Sequence, residues 1–213
     1  MDSEYNNKGM YNGYNRNNKD REEFDYYATP PQEVYNILRF EPLKEGQIIL
    51  EPCVGQGAMI QGIDQHLKDN RLDTKVKVFG TDLVDRGYKD DRVVYGLDFL
   101  DDNYPFGTKA DVIVMNPPYS LVEEFTLKAL KRANKVILLA RTQFAESKSR
   151  YENIFSINPP SRIYLYVDRI ACYKNGDFSK KQSSSQSYSW FVFQSNRLEK
   201  NTEFYWLRRY DKI

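Results

Sequence analysis

Asn116, Pro117, Pro118 and Tyr119 stand directly after the apolar run Asp111-Val112-Ile113-Val114-Met115. Proline has no backbone donor, so the pair ends any sheet ladder, and the four residues read as a rigid turn at a strand's carboxyl end. Ligands of open α/β sheets bind at that edge. The turn presents one amide side chain, fixed backbone carbonyls and one aromatic face. That set suits a planar molecule with an exocyclic amino group, a nucleobase above all. A strand-to-loop turn with a packed tyrosine is the competing reading of the same residues.

A second series of residues lies upstream. Glu51-Pro52-Cys53-Val54-Gly55-Gln56-Gly57-Ala58 runs from a strand into a helix, and Gly55 and Gly57 allow close backbone approach to a ligand at the helix amino terminus. Asp82 closes the next predicted strand, where a carboxylate can accept both hydroxyls of a ribose. Asp98 and Phe99 follow the third, where a carboxylate can accept an adenine amino hydrogen and a ring can line a base pocket. Each acid alone also fits a turn or a helix cap, but all of them fall at successive strand ends. A Walker-type phosphate loop with its Lys and Ser or Thr is missing, which argues against ATP and for a phosphate-free adenosine cofactor.

Short Val- and Ile-rich runs alternate with helical segments from Phe24 onward, the pattern of βαβ units around a parallel sheet. Seven strands are expected: Gln47 to Leu50, Val76 to Gly80, Arg92 to Tyr95, Asp111 to Met115, Lys135 to Ala140, Arg162 to Val167 and Tyr188 to Phe193. Helices are expected over Thr29 to Arg39, Ala58 to Asp69, Leu121 to Ala133 and Phe144 to Ile157, the first capped by Thr29 with proline in its first turn. Residues 1–23 are Asn- and Tyr-rich with little to bury and read as a flexible tail. Residues 171–187 are polar and low in complexity, and read as a long mobile loop.

With 213 residues the chain has the size of one α/β domain, spanning 24–213 here. Its 31 Lys and Arg balance 30 Asp and Glu, so any nucleic-acid binding must use local patches. No apolar run approaches the roughly 20 residues of a membrane span, and the amino terminus has no signal-peptide core; a cytoplasmic protein without membrane contact is expected. Cys53, Cys172 and His66 are too few for a disulfide framework or a metal cluster, so reduced thiols and no metal are expected.

On these residues the chain resembles the S-adenosylmethionine-dependent amino methyltransferases, and in particular the DNA adenine-N6 methyltransferases. Glu51 to Gly57 looks like their first cofactor motif and Asn116-Pro117-Pro118-Tyr119 like their catalytic motif. Ala28-Thr29-Pro30-Pro31 resembles the segment that touches the methionine part of the cofactor. The motif order is similar to the gamma group, and Ser189-Trp190-Phe191-Val192-Phe193 resembles the late strand of small phage-type and mobile-element members. The resemblance spans roughly Tyr26 to Phe193. It implies a Rossmann-like class I methyltransferase fold with a seven-stranded, mostly parallel sheet and helices on both faces. It further implies that Thr29, Pro30, Glu51, Gly55 and Gly57 flank the methionine end of S-adenosylmethionine, that Asp82 holds its ribose, and that Asp98 and Phe99 read its adenine. Asn116 and the Pro117 carbonyl would accept hydrogen bonds from the target amino group, and Tyr119 would stack on a flipped or single-stranded base.

The motif is specific to amino-nitrogen methylation rather than to a polymer. DNA is the first substrate reading and RNA adenine the second; a protein glutamine and a non-catalytic binding subunit are the readings of other classes. The large target recognition domain of sequence-specific relatives is absent from the resemblance. Specificity is therefore loose, or the 171–187 loop and a protein partner supply it. Lys148, Arg150, Lys174, Lys180 and Lys181 are candidates to track a phosphate backbone, with Arg208, Arg209 and Lys212 as a weaker set.

Overall fold

The computed structural model describes residues 26–106, 110–179, 186–195 and 197–209. The expected tail, Lys180, Lys181 and Lys212 lie outside them. The elements run β1 (Tyr27–Ala28), α1 (Pro31–Phe40), β2 (Ile48–Glu51), α2 (Ala58–Asp69), β3 (Lys77–Asp82), β4 (Val93–Tyr95), β5 (Ala110–Met115), α3 (Val122–Arg132), β6 (Ala133–Arg141), β7 (Arg162–Tyr166), β8 (Tyr173–Lys174), β9 (Tyr188–Gln194) and β10 (Glu203–Leu207).

Eight strands form the main sheet in the order β10-β7-β9-β6-β5-β2-β3-β4, all parallel except β9, which is antiparallel to both β6 and β7. The central strands β5 and β6 are covered on both faces, which is why they read as continuous Val, Ile and Leu runs rather than as alternation. On one face α1 and α2 cover Ile49, Val112, Val114, Ile137, Leu139 and Trp190. On the other, Phe125 and Ala129 of α3 pack on Ile113, Met115, Val136 and Leu138. Trp190 is fully buried and its indole Nε1 donates to the Tyr166 hydroxyl at 2.8 Å. Among the described residues, no helix is long and apolar enough to cross a membrane.

Four expectations need correction. The sheet has eight strands, because Glu203–Leu207 adds β10 in parallel beside β7, with Tyr205 stacked on Tyr164 at 5.2 Å between ring centroids. The cap of α1 is Pro30 with no side-chain hydrogen bond; the Thr29 hydroxyl is used elsewhere. The continuous helix expected over Phe144 to Ile157 is broken: a 3-10 turn at Thr142–Ala145 ends before Ser147, whose side chain accepts from Arg150 N and starts a new turn over Lys148–Arg150 that widens at Tyr151–Phe155. A short polar residue bonding to backbone competes with helix continuation in this way. The mobile-loop reading of 171–187 fails at its start: Ala171 and Cys172 are buried, and β8 pairs antiparallel with β1, Tyr27 opposite Lys174 and Ala28 opposite Tyr173.

Candidate active site

Strand register brings the sequence motifs to one line. Leu50 pairs with Ile113 and Glu51 with Gly80, so continuing both registers sets Cys53 between Asn116 on one side and Asp82 on the other. All three lie at the carboxyl edge of the sheet, the ligand edge of such folds.

The Asn116 amide has a fixed orientation. Its Nδ2 donates to the Tyr27 carbonyl at 2.7 Å and to the Thr29 hydroxyl at 3.0 Å, which uses both amide hydrogens. The side-chain oxygen is buried and has no partner. Buried acceptors are normally satisfied, and one left bare costs about 1–3 kcal/mol, so this oxygen is a prepared acceptor at the end of β5. Tyr27 and Thr29 frame the turn from β1, which is itself held by β8.

Tyr119 is equally constrained. Its hydroxyl lies 2.8 Å from that of Tyr188, and its ring stacks on Tyr27 with centroids 5.2 Å apart. The Cys172 thiol sits within hydrogen-bonding reach of the Tyr119, Tyr188 and Thr29 hydroxyls; burial pushes it up to about 12 despite them. Burial also raises the Tyr119 phenol, with Cys172 and Tyr188 adding to it. Both groups are neutral at physiological pH. The Arg141 guanidinium lies 4.4 Å from the Tyr119 ring centroid.

The glycine turn before α2 is built around Asp82. Its carboxylate accepts from Gly55 N at 2.7 Å and Val84 N at 2.9 Å, and burial raises it above the ordinary carboxylate range in spite of these bonds. Gly55 and Gly57 have φ of +57° and +79°. A Cβ at Gly55 would fall 2.1 Å from the Tyr26 ring and one at Gly57 2.4 Å from the Tyr88 ring, so the close approach that glycine permits is made here by two tyrosines. Tyr26 also accepts from Gln56 N at 2.8 Å. Glu51 stands at the end of β2 with neither carboxylate oxygen in a hydrogen bond of full geometry, only the Ile60 N–H lying near enough to favour its charge slightly. Burial, and then Asp82, hold it well above the ordinary range. Unbonded carboxylate oxygens at a glycine turn fit a ligand with hydroxyl or ammonium donors.

Other sequence candidates lie differently. Asp98 accepts from Leu100 N at 2.8 Å, capping its own turn, and Phe99 is only 1% exposed, edge-on to Tyr104 within the core, so its ring presents no open face. Pro117 and Pro118 carry the chain from β5 into the turn at Tyr119. Arg150 donates to the carbonyls of Gln143, Phe144 and Glu146, which ties its guanidinium to the turn after β6. Lys148 is exposed, 3.8 Å from Glu152. Lys174 lies on β8 and Arg209 pairs with the buried Glu33 at 2.9 Å. The residues that sequence reading missed are Tyr27, Cys172, Tyr188 and Arg141. Each is distant in sequence from the motif it serves, and the available signal was that Arg141 follows one predicted strand and Tyr188 opens another.

No protein-family model matches the chain, and no curated protein sequence does. Solved structures match its fold. The methyltransferase subunit of a type I restriction-modification system from Streptococcus thermophilus superposes with a TM-score of 0.63 at 13% identity, covering 86% of this chain and 47% of that one. The M protein of type I restriction enzyme EcoKI gives 0.58 at 13%, covering 85% and 48%. An S-adenosylmethionine-dependent O-methyltransferase from Thermotoga maritima gives 0.51 at 16%, covering 82% and 69%. The chain thus spans about half the length of the two restriction-system proteins. The fold is that of the class I methyltransferases, and it is shared by proteins named for restriction-modification and for O-methyl transfer.

Proposed function

We propose that the chain transfers a methyl group from S-adenosylmethionine to the exocyclic amino group of adenine in a nucleic acid, DNA before RNA. The observation that carries this reading is the Asn116 amide. Its donors are consumed by Tyr27 and Thr29, so the buried, unbonded oxygen is the one polar atom of the side chain left to bond. A group with hydrogens to give, such as an amine, answers that oxygen; a hydroxyl acceptor would need only one such contact and no amide clamp.

The cofactor fits the second cluster by its donor set. Glu51 brings two unbonded oxygens, and Asp82 has accepting capacity beyond its two backbone bonds. When bound, S-adenosylmethionine supplies an electrophilic methyl on a sulfonium leaving group. Asn116 Oδ1, with the Pro117 carbonyl, accepts the amino hydrogens and draws the nitrogen from planar toward tetrahedral, freeing its lone pair for the methyl carbon. Glu51 and Asp82 would hold the cofactor so that its methyl carbon passes to that lone pair, its sulfur leaving as a neutral thioether, while Asn116 Oδ1 and the Pro117 carbonyl keep hold of the amino hydrogens until one is lost to solvent. Tyr119, locked through its hydroxyl, offers a ring on which a base stacks. Positioning and fixed dipoles account for the acceleration, with no covalent enzyme intermediate.

The test is incubation with labelled S-adenosylmethionine and separate pools of double-stranded DNA, single-stranded DNA, RNA and protein, followed by nucleoside and amino-acid analysis. N6-methyladenine in DNA is the expected product. Label confined to RNA would move the substrate, and label in glutamine or in no pool would overturn the reading.

A further inference from the structure

Arg141 is the last residue of β6 and pairs across the sheet with Tyr188, the first of β9. Directly opposed residues of antiparallel strands project to one side. Here both reach the same ring: Tyr188 holds the Tyr119 hydroxyl at 2.8 Å, and the Arg141 guanidinium lies 4.4 Å from the ring centroid. Tyr119 is therefore pinned while Arg141 is exposed. Two other candidate arginines are committed, Arg150 to three carbonyls and Arg209 to Glu33, and Arg86 lies over the Tyr26 ring. Among the described residues, no carboxylate or carbonyl accepts from Arg141. Five donors in a planar fork are thus free at the rim of the site, on a chain whose charges otherwise balance at 31 to 30.

A guanidinium over the half-buried Tyr119 ring and a base stacked on the same ring overlap in strength, with the base's range the higher. A planar fork of donors also matches a phosphate. Resting on the reading of the site given above, we propose that Arg141 is a nucleotide-responsive clamp: it covers the Tyr119 ring, yields that ring to an incoming base, and pairs with the phosphate flanking that base. The partner class this selects is a polynucleotide strand with a displaced or unpaired base. A protein glutamine has no anion beside its amide to meet the arginine.

The test is fluorescence anisotropy of a labelled single-stranded, adenine-containing oligodeoxynucleotide against the full-length protein over a range of salt concentrations. For Arg141→Ala, binding is expected to weaken about tenfold and the log–log salt slope to shrink by about 0.7, the loss of one single-strand phosphate contact. Arg141→Lys, which keeps the charge without the planar fork, is expected to regain most of the slope. Thermal melting of both variants at the wild-type temperature establishes that the fold is intact. Equal binding by wild type and Arg141→Ala would overturn the clamp, as would weakened binding with an unchanged salt slope, which means packing support for Tyr119. No binding by the wild type would overturn it too. Arg141-dependent binding without methyl transfer to any pool would sink the catalytic reading and leave the clamp standing.

Discussion

Glu41 and Glu51 are both almost wholly buried, at 2% and 1% exposure, yet the protein treats them in opposite ways. Glu41, after α1, receives Arg162 through both Nε and Nη2, the Tyr164 hydroxyl at 2.8 Å, and Lys135. Burial alone would push its carboxyl up, but Arg162 and Lys135 outweigh it and hold the group below the ordinary range. Glu51, at the carboxyl end of β2, has no partner for either oxygen and is held well above that range by burial and by Asp82. A folded chain keeps a buried charge by surrounding it with counter-charges. Where it instead leaves acceptors bare, at Glu51 and at Asn116, both lie on the one sheet edge where this fold takes its ligands. Satisfied burial accompanies structure at Glu41, and unsatisfied burial at this sheet edge accompanies the candidate site.

That contrast is broken most directly at Asn116. Asn116→Ala is expected to lower the initial rate of methyl transfer about 10²–10³-fold, the usual cost of losing one preorganised acceptor or donor. Cofactor affinity, measured by calorimetry, should change little, while the melting temperature should fall by several degrees, because Ala also removes the amide donors to the Tyr27 carbonyl and the Thr29 hydroxyl. A rate within a few-fold of wild type would sever the link between the bare oxygen and catalysis. The structural member of the pair comes next. Glu41→Ala strands Arg162 and Lys135 and is expected to cost about 3 kcal/mol, or roughly 6–12 °C in melting temperature, while cofactor affinity of the folded protein is retained. Glu41 has a depressed carboxyl, so its contribution is present above the ordinary carboxylate value and lost as pH falls through the folded-state value. The melting difference between wild type and variant should therefore shrink in acid.

The line of strand ends was readable from the chain because each motif is local: an apolar run ends and a polar residue follows within one or two positions. The amide's orientation was not readable. It depends on Tyr27 and Thr29, 89 and 87 residues away from Asn116, and Thr29 before two prolines looks like a helix cap until tertiary contact claims its hydroxyl. Cys172 and Tyr188 share that distance problem, lying in or beside a segment whose composition suggests disorder although its first residues form β8. Arg141 ends a strand whose apolar residues drew all the attention. The strand at Glu203–Leu207 is aromatic enough to be recognised, but it lies past the last motif, where nothing pointed to a further sheet neighbour.

Glu51→Gln sharpens the contrast with a smaller effect of double sign. A carboxyl raised in the folded state costs nothing at low pH, where both states keep the proton. It lowers stability as pH rises beyond the ordinary carboxylate value, where only the unfolded chain ionises. Gln removes that ionisation, so the variant's melting temperature is expected to match wild type near pH 4 and exceed it by pH 7, on the order of a few degrees. Cofactor affinity should fall about tenfold, because Glu51 can give up its proton against a bound cationic ligand and Gln cannot. Lower stability at neutral pH together with unchanged affinity would show that Glu51 is a structural acid like Glu41.

His66 is the control for this rule. It is 2% exposed, neither ring nitrogen has a partner, and its ring meets Tyr35 edge-on. It sits toward the carboxyl end of α2, whereas the ligand edge is at that helix's amino end, beside Gly57. Burial depresses its pKa, with Asp69 opposing. The unfolded chain therefore takes up the proton first, and stability is expected to fall as pH drops through about 6.5. In His66→Phe, which keeps the aromatic edge contact, this slope should flatten in melting curves between roughly pH 7 and pH 5, by about 1 kcal/mol or less. Cofactor affinity should be unmoved. An affinity loss matching that of Glu51→Gln would mean that bare buried atoms in this protein report burial alone, and position at the sheet's carboxyl edge would no longer separate a ligand site from a core defect.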